Sequence, residues 1–87
     1  MAKSDNKRND FTLPLRVALG VRIRTFRKAR GINQDDFADM VGIQRAHVGL
    51  IENAKVEPRI GTLFMIAQAL GLELEELVAG VKNEPIT

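Results

Sequence analysis

Arg45 is the side chain best equipped for recognition chemistry. Its planar guanidinium presents two parallel N–H groups that match guanine O6 and N7, and equally the oxygens of a phosphate. Its neighbours suit the same surface. Gln44 can bond adenine or the backbone, while Ala46 and Leu50 donate nothing but can pack on a thymine methyl. Gly49 costs about 1 kcal/mol relative to alanine inside a helix, so it is either tolerated or lets a ligand approach closely. An apolar Leu50 on an outer helix face makes little sense in water; it faces DNA or protein. His47 stands beside this strip as an exposed or phosphate-contacting residue.

The elements that must hold the strip follow from spacing. Residues 34–53 read as two short helices joined by a tight turn at Gly42, with the small Ala38 where they cross. Phe37, Ala38, Val41, Ile43, Val48 and Ile51 fall on inward faces, which leaves Gln44, Arg45, Ala46, Gly49 and Leu50 outward. This is the layout of a helix-turn-helix, whose second helix enters the DNA major groove. Asn33 is a good N-cap for the first of the two, and Ile32 can staple onto Phe37. Asp35 and Asp36 suit the positive end of the helix dipole. Gly42 can take the positive φ of a sharp turn. Ile43 and Val48 can repeat the staple at the next helix, where Gln44 is a poor cap and its side chain is left for another task.

Outside this window, residues up to about Asp10 are polar and aperiodic, an expected mobile arm over residues 1–12. Thr12 can cap a helix starting near Pro14, with Leu15, Leu19, Ile23 and Phe26 on one face and Gly31 as its stop. Arg16, Arg24, Lys28 and Arg30 occupy the other face. A loop with Lys55, Pro58 and Arg59 precedes a fourth helix, roughly Gly61 to Leu70, that turns Leu63, Ile66, Ala67 and Leu70 inward. A fifth, about Leu74 to Ala79, buries Leu74 and Leu77. Residues 81–87 are expected to fray. With no strand pattern or repeat, the expectation is one all-α, five-helix domain over residues 13–80.

Composition narrows the function classes. The 87 residues suffice for one modest core, and 45% are hydrophobic. No cysteine means no disulfide frame and no thiolate site, and a single histidine excludes a His-rich metal site. No apolar run approaches the ~20 residues of a membrane span, and the first residues lack a signal peptide's apolar stretch, so a soluble cytoplasmic protein without a membrane partner is expected. Twelve Lys/Arg and seven Asp/Glu fall at or before Arg59, against one and four after it. Such asymmetry fits a surface facing a polyanion, and equally occurs in ordinary domains. Glu73, Glu75 and Glu76 read as acids of a helix start. No nucleophile–base set or metal spacing exists, so neither enzymatic activity nor a cofactor is expected.

The pattern resembles the Cro/repressor-type, or XRE-like, helix-turn-helix family. The resemblance runs from Leu19 to Val78: Leu19-Gly20, Ile23-Arg24, Arg27 to Gly31, Asn33-Gln34, Ala38, Val41-Gly42, Val48 and Ile51-Glu52-Asn53. It continues through Pro58, Thr62-Leu63, Ile66-Ala67, Ala69-Leu70-Gly71 and Leu74-Glu75-Glu76-Leu77. It implies a lambda-repressor-like domain that binds double-stranded operator DNA, usually as a homodimer on a palindromic or pseudo-palindromic site.

The resemblance also implies roles. Gln34 would touch a DNA phosphate at a helix start rich in free N–H groups and brace the recognition helix. Arg27 and Glu52 would pair between the first and third helices, and Arg27 could also reach a phosphate. Asn53, Lys55 and Arg59, in the loop after the third helix, would grip the backbone. Ala54 departs from the family by standing where glycine is usual, which implies a cost on the order of 1 kcal/mol at positive φ. Val56, Phe64, Met65 and Val78 are apolar at positions expected to be partly exposed. They are either scattered surface residues or, if clustered, a dimer interface.

Two functions of different class fit. One is a dimeric transcriptional regulator, a repressor or autoregulator that blocks or recruits RNA polymerase. The other is an antitoxin-type interaction module with secondary operator binding.

Overall fold

The computed structural model describes residues 11–84. They form α1 (Leu13–Ala29), α2 (Gln34–Val41), α3 (Arg45–Glu52), α4 (Ile60–Ala69) and α5 (Leu74–Val78), with no strand among the described residues. The helices close a ring: α1 packs on α3, α3 on α2, α2 on α4, α4 on α5, and α5 back on α1. Each sends one large, fully buried side chain to the centre, namely Ile23, Phe37, Val48, Ile66 and Leu77. Leu19, Ala38, Val41, Ile51, Ala67 and Leu70 complete the core. Burying a Val, Leu, Ile or Phe side chain stabilises by about 1.5–3 kcal/mol, so this ring is the main reason the short helices persist.

The local signals around α2 act as the sequence indicates. The Asn33 side chain accepts from the Asp36 N–H at 2.8 Å. Gly42 sits at φ 86°, and the N–H groups of Gly42 and Ile43 both return to the Ala38 carbonyl at 2.8 and 3.0 Å. The same closure ends α3, where the Lys55 N–H reaches the Leu50 carbonyl at 2.8 Å with Ala54 at φ 62°. Two contacts offset the expected strain of this alanine. Its methyl is buried in the core, and its carbonyl accepts a hydrogen bond from Arg16 Nη1 on α1.

The start of α1 departs from expectation. Thr12 holds the N-cap position, but its hydroxyl accepts from Arg16 Nε at 3.2 Å instead of capping the helix. The Leu15 N–H goes to Asn83 Oδ1 at 3.2 Å, and Asn83 Nδ2 donates to the Phe11 carbonyl at 2.8 Å. Residues 81–84 are therefore tied back onto α1, with Val81 against the core, where fraying was expected. The expected arm up to residue 10 and tail residues 85–87 lie outside the described residues.

The expected basic face of α1 is also corrected. Arg16 is buried. Arg30 Nε donates to the Leu70 carbonyl at 2.7 Å at the end of α4. Arg22, which belonged to no expected set, donates to the Leu77 and Glu76 carbonyls at 2.6 and 2.7 Å at the end of α5. Terminal helix carbonyls lack intrahelical donors and carry the negative end of the dipole, so cations there are stabilising. Arg22 and Arg30 also flank the Phe26 ring at 5.0 and 5.2 Å. The α1 arginines stitch together the ends of other helices.

Val56 and Val78, expected among exposed apolar residues, are half-buried against the core. Val78 shares a cleft with Leu15, Leu19 and Leu63, because the short α5 packs on α1 and turns that edge inward.

Candidate nucleic-acid interface

The outward strip needs a fixed helix beneath it, and the crossing of α1 with α3 supplies one. Gly20 lies on the α3 backbone: a Cβ there would stand 2.6 Å from the Glu52 carbonyl oxygen and 2.9 Å from that of Ile51. These are backbone atoms that cannot swing aside, so only glycine permits the approach.

Above this contact lies the Glu52 carboxylate, fully buried as a side chain. Arg27 grips it with both arms of its fork, Nε to Oε2 at 2.7 Å and Nη2 to Oε1 at 3.0 Å. Oε1 also accepts from Arg24 Nε at 3.3 Å and Gln34 Nε2 at 3.2 Å. Burial pushes the Glu52 carboxyl up. Against that act the Arg27 and Gln34 hydrogen bonds, the Arg27 charge and the Arg24 hydrogen bond, and the net displacement is below the ordinary value of 4.5. One carboxylate thus joins α1, the first residue of α2 and the last of α3.

This arrangement sorts the expected contacts. Arg27 turns inward, with Nη1 on the Ile32 carbonyl at 2.8 Å, and is buried. The phosphate role that the resemblance attaches to it finds no exposed guanidinium edge. Gln34 is half-buried and braced on Glu52. Asn53 is exposed, and its Oδ1 accepts from Arg24 Nη2 at 2.9 Å. Lys55 and Arg59 are exposed on the loop that follows, and His47 is half-buried.

The strip itself is open. Gln44 is the N-cap residue of α3, in extended conformation and without a side-chain cap hydrogen bond. Arg45 has 63% of its side chain in solvent and pairs through Nε with Asp35 Oδ1 at 3.0 Å. Ala46 is exposed, and so is Leu50, at 44%. A Cβ at Gly49 would meet nothing within 4 Å, so no intramolecular packing requires glycine there. Away from this face, Phe64 and Met65 on α4 are exposed together with Ile60, a residue absent from the expected interface. Ile60 and Phe64 stand one turn apart on the same face.

Sequence reasoning missed the roles of Gly20, Arg16, Arg22, Arg24 and Asp35. Only Gly20 carried a readable signal, a glycine inside a helix with no turn to explain it. Among the described residues no group of three or more His, Cys, Asp or Glu is placed to hold a metal, and no helix is long and apolar enough to cross a membrane.

Five helices among the described residues, a glycine-closed turn between α2 and α3, and a clamped α3 with an open outer strip define a helix-turn-helix protein. Residues 23–77 match the helix-turn-helix family HTH_3, and the chain belongs to this XRE-like family of DNA-binding transcription regulators, which are not enzymes. It is 26% identical over 74 residues to the control protein C.SmaI of Serratia marcescens, covering 83% of this chain and 88% of that protein. It is 31% identical over 62 residues to the immunity repressor of Bacillus phage phi105, covering 71% of this chain but only 43% of the repressor. The crystal structure of the restriction–modification controller protein C.AhdI from Aeromonas hydrophila superposes with a TM-score of 0.70 at 32% identity, over 71% of this chain and 94% of that one.

Proposed function

We propose that the protein is a sequence-specific regulator that binds a two-fold-symmetric DNA operator as a homodimer, as a repressor or autoregulator. The observation that carries this reading is the division of α3. Its inner side is fixed by Gly20 and Glu52, while Gln44, Arg45, Ala46 and Leu50 stay exposed on its outer side. A rigid helix with one guanidinium and a partly apolar outer face suits the major groove. Arg45 reads a guanine, with Gln44, Ala46 and Leu50 contributing further edge and methyl contacts. The Gln34 amide, His47, Asn53, Lys55 and Arg59 contact phosphates around it. Phe64 and Met65, with Ile60, pair across the dimer axis, and Val56 and Val78 support them from the core side. Control-protein and repressor relatives of similar sequence support the regulatory role.

Selection of bound duplexes from a random pool tests the proposal. The expected product is a symmetric site with half-sites about one helical turn apart, bound with an affinity that falls steeply with salt. Equal affinity for the selected and random duplexes contradicts it.

A further inference from the structure

Asp35 presents a contradiction that the proposed reading leaves open. It is a carboxylate, 74% exposed, in the first turn of α2, beside the residue that faces the base edges. Near a polyanion such a charge lowers affinity for every duplex alike. An ion pair this exposed adds little to folding, and the favourable position at the start of α2 is one that Asp36 shares, so neither accounts for the pairing with Arg45.

The geometry offers an account. The contact runs through Arg45 Nε at 3.0 Å, on one edge of the guanidinium. The remaining N–H donors lie on the two terminal Nη groups, which carry the end-on fork. A long arginine side chain free in solution samples many rotamers, and ordering it on binding has an entropic cost. An anion on the Nε edge restricts that sampling. It also grows in strength as a docking duplex excludes water and lowers the local dielectric.

Resting on the reading of Arg45 as the guanine-contacting residue, we propose that Asp35 is a positioning residue for sequence discrimination. Its carboxylate holds the Arg45 guanidinium by the Nε edge so that the Nη fork meets a base edge and not a neighbouring phosphate. The same charge weakens binding to duplexes that lack the guanine. Asp35 therefore trades general affinity for selectivity.

The test compares the full-length protein with Asp35→Asn and Arg45→Ala. Each is titrated with the duplex that the wild-type protein selects from a random pool, with variants of it replaced one base pair at a time, and with a random duplex. Thermal unfolding confirms that each variant is folded. Asp35→Asn is expected to bind the random duplex about two- to fivefold more tightly, since one repelling charge is gone. At the same time its preference for the base pair read by Arg45 falls by about three- to tenfold, and Asp35→Glu restores part of it. Asp35→Asn that tightens all duplexes equally, or sharpens the preference, overturns the proposal. If Arg45→Ala abolishes the base preference while Asp35→Asn keeps it, the role of Asp35 falls and the Arg45 reading stands. If Arg45→Ala leaves every preference intact, the reading of Arg45 and the role of Asp35 fall together.

Discussion

Arg27 and Arg45 are chemically identical, yet the first is sealed against Glu52 with its fork closed, and the second stands 63% in solvent with only its Nε edge paired. The contrast extends to the regions they represent. The arginines of α1 spend their donors on a buried carboxylate and on the carbonyl ends of α3, α4 and α5. Arg45, Lys55 and Arg59 lie in or after α3 and stay exposed. Basic residues concentrated in the first two-thirds of a chain therefore do not map a polyanion surface. What distinguishes the two groups is whether a folded partner has already taken the donors.

The contrast can be broken most forcefully from the buried side. Glu52→Ala leaves the Arg27 guanidinium buried without its counter-charge, and a loss of about 3–5 kcal/mol in denaturant unfolding is expected. Glu52→Gln isolates the titration. The folded carboxyl lies below its ordinary value of 4.5, so its contribution is full above that pH. It is lost as the pH falls through the lowered folded value, because the unfolded chain takes up the proton first. Acid unfolding of Glu52→Gln should lack that component, and an unchanged acid limb counts against the clamp.

Gly20→Ala should cost about 1–3 kcal/mol or more, because the added methyl meets α3 backbone. A variant that unfolds at the wild-type denaturant midpoint would show that the two helices separate easily. On the open side the expected effect changes character. Arg45→Ala should shift stability by no more than about 0.5 kcal/mol while removing about 1–3 kcal/mol of discrimination at one base pair, read by titration of substituted duplexes. Gly49→Ala, the mildest change, should stabilise the helix by about 0.5–1 kcal/mol and weaken operator binding where DNA approaches closely. Unchanged operator affinity in that variant would mean that the glycine is merely tolerated.

The legible parts of this fold are those whose causes lie within a few residues. Asn33, Ile32 and Gly42 specify α2 and its turn locally, and the inward periodicity marks the residues that form the core. Helical spacing also places Arg16, Arg24 and Arg30 together on an outer face; Arg16 is instead buried, and spacing is silent about what packs on any of the three. Their partners lie 38, 28 and 40 residues away in sequence. Ala54 was legible as a departure from glycine, whereas the hydrogen bond from Arg16 that helps offset it was not. The pairing of Asp35 with Arg45 likewise depends on how two helices cross, and neither residue's local pattern contains it. The contact of Arg27 with Glu52 is implied by family resemblance, since spacing alone leaves two unrelated charges.

The division between the two groups of arginines can be observed in one spectrum. Arginine Nε–H signals of the uniformly labelled protein, followed while the selected duplex is titrated in, report each guanidinium separately. The Arg45 signal should move strongly, while those of Arg16, Arg22 and Arg27 stay in place because their folded partners retain them. Movement of Arg16, Arg22 and Arg27 as large as that of Arg45, or a stationary Arg45, would contradict the division of labour between α1 and α3.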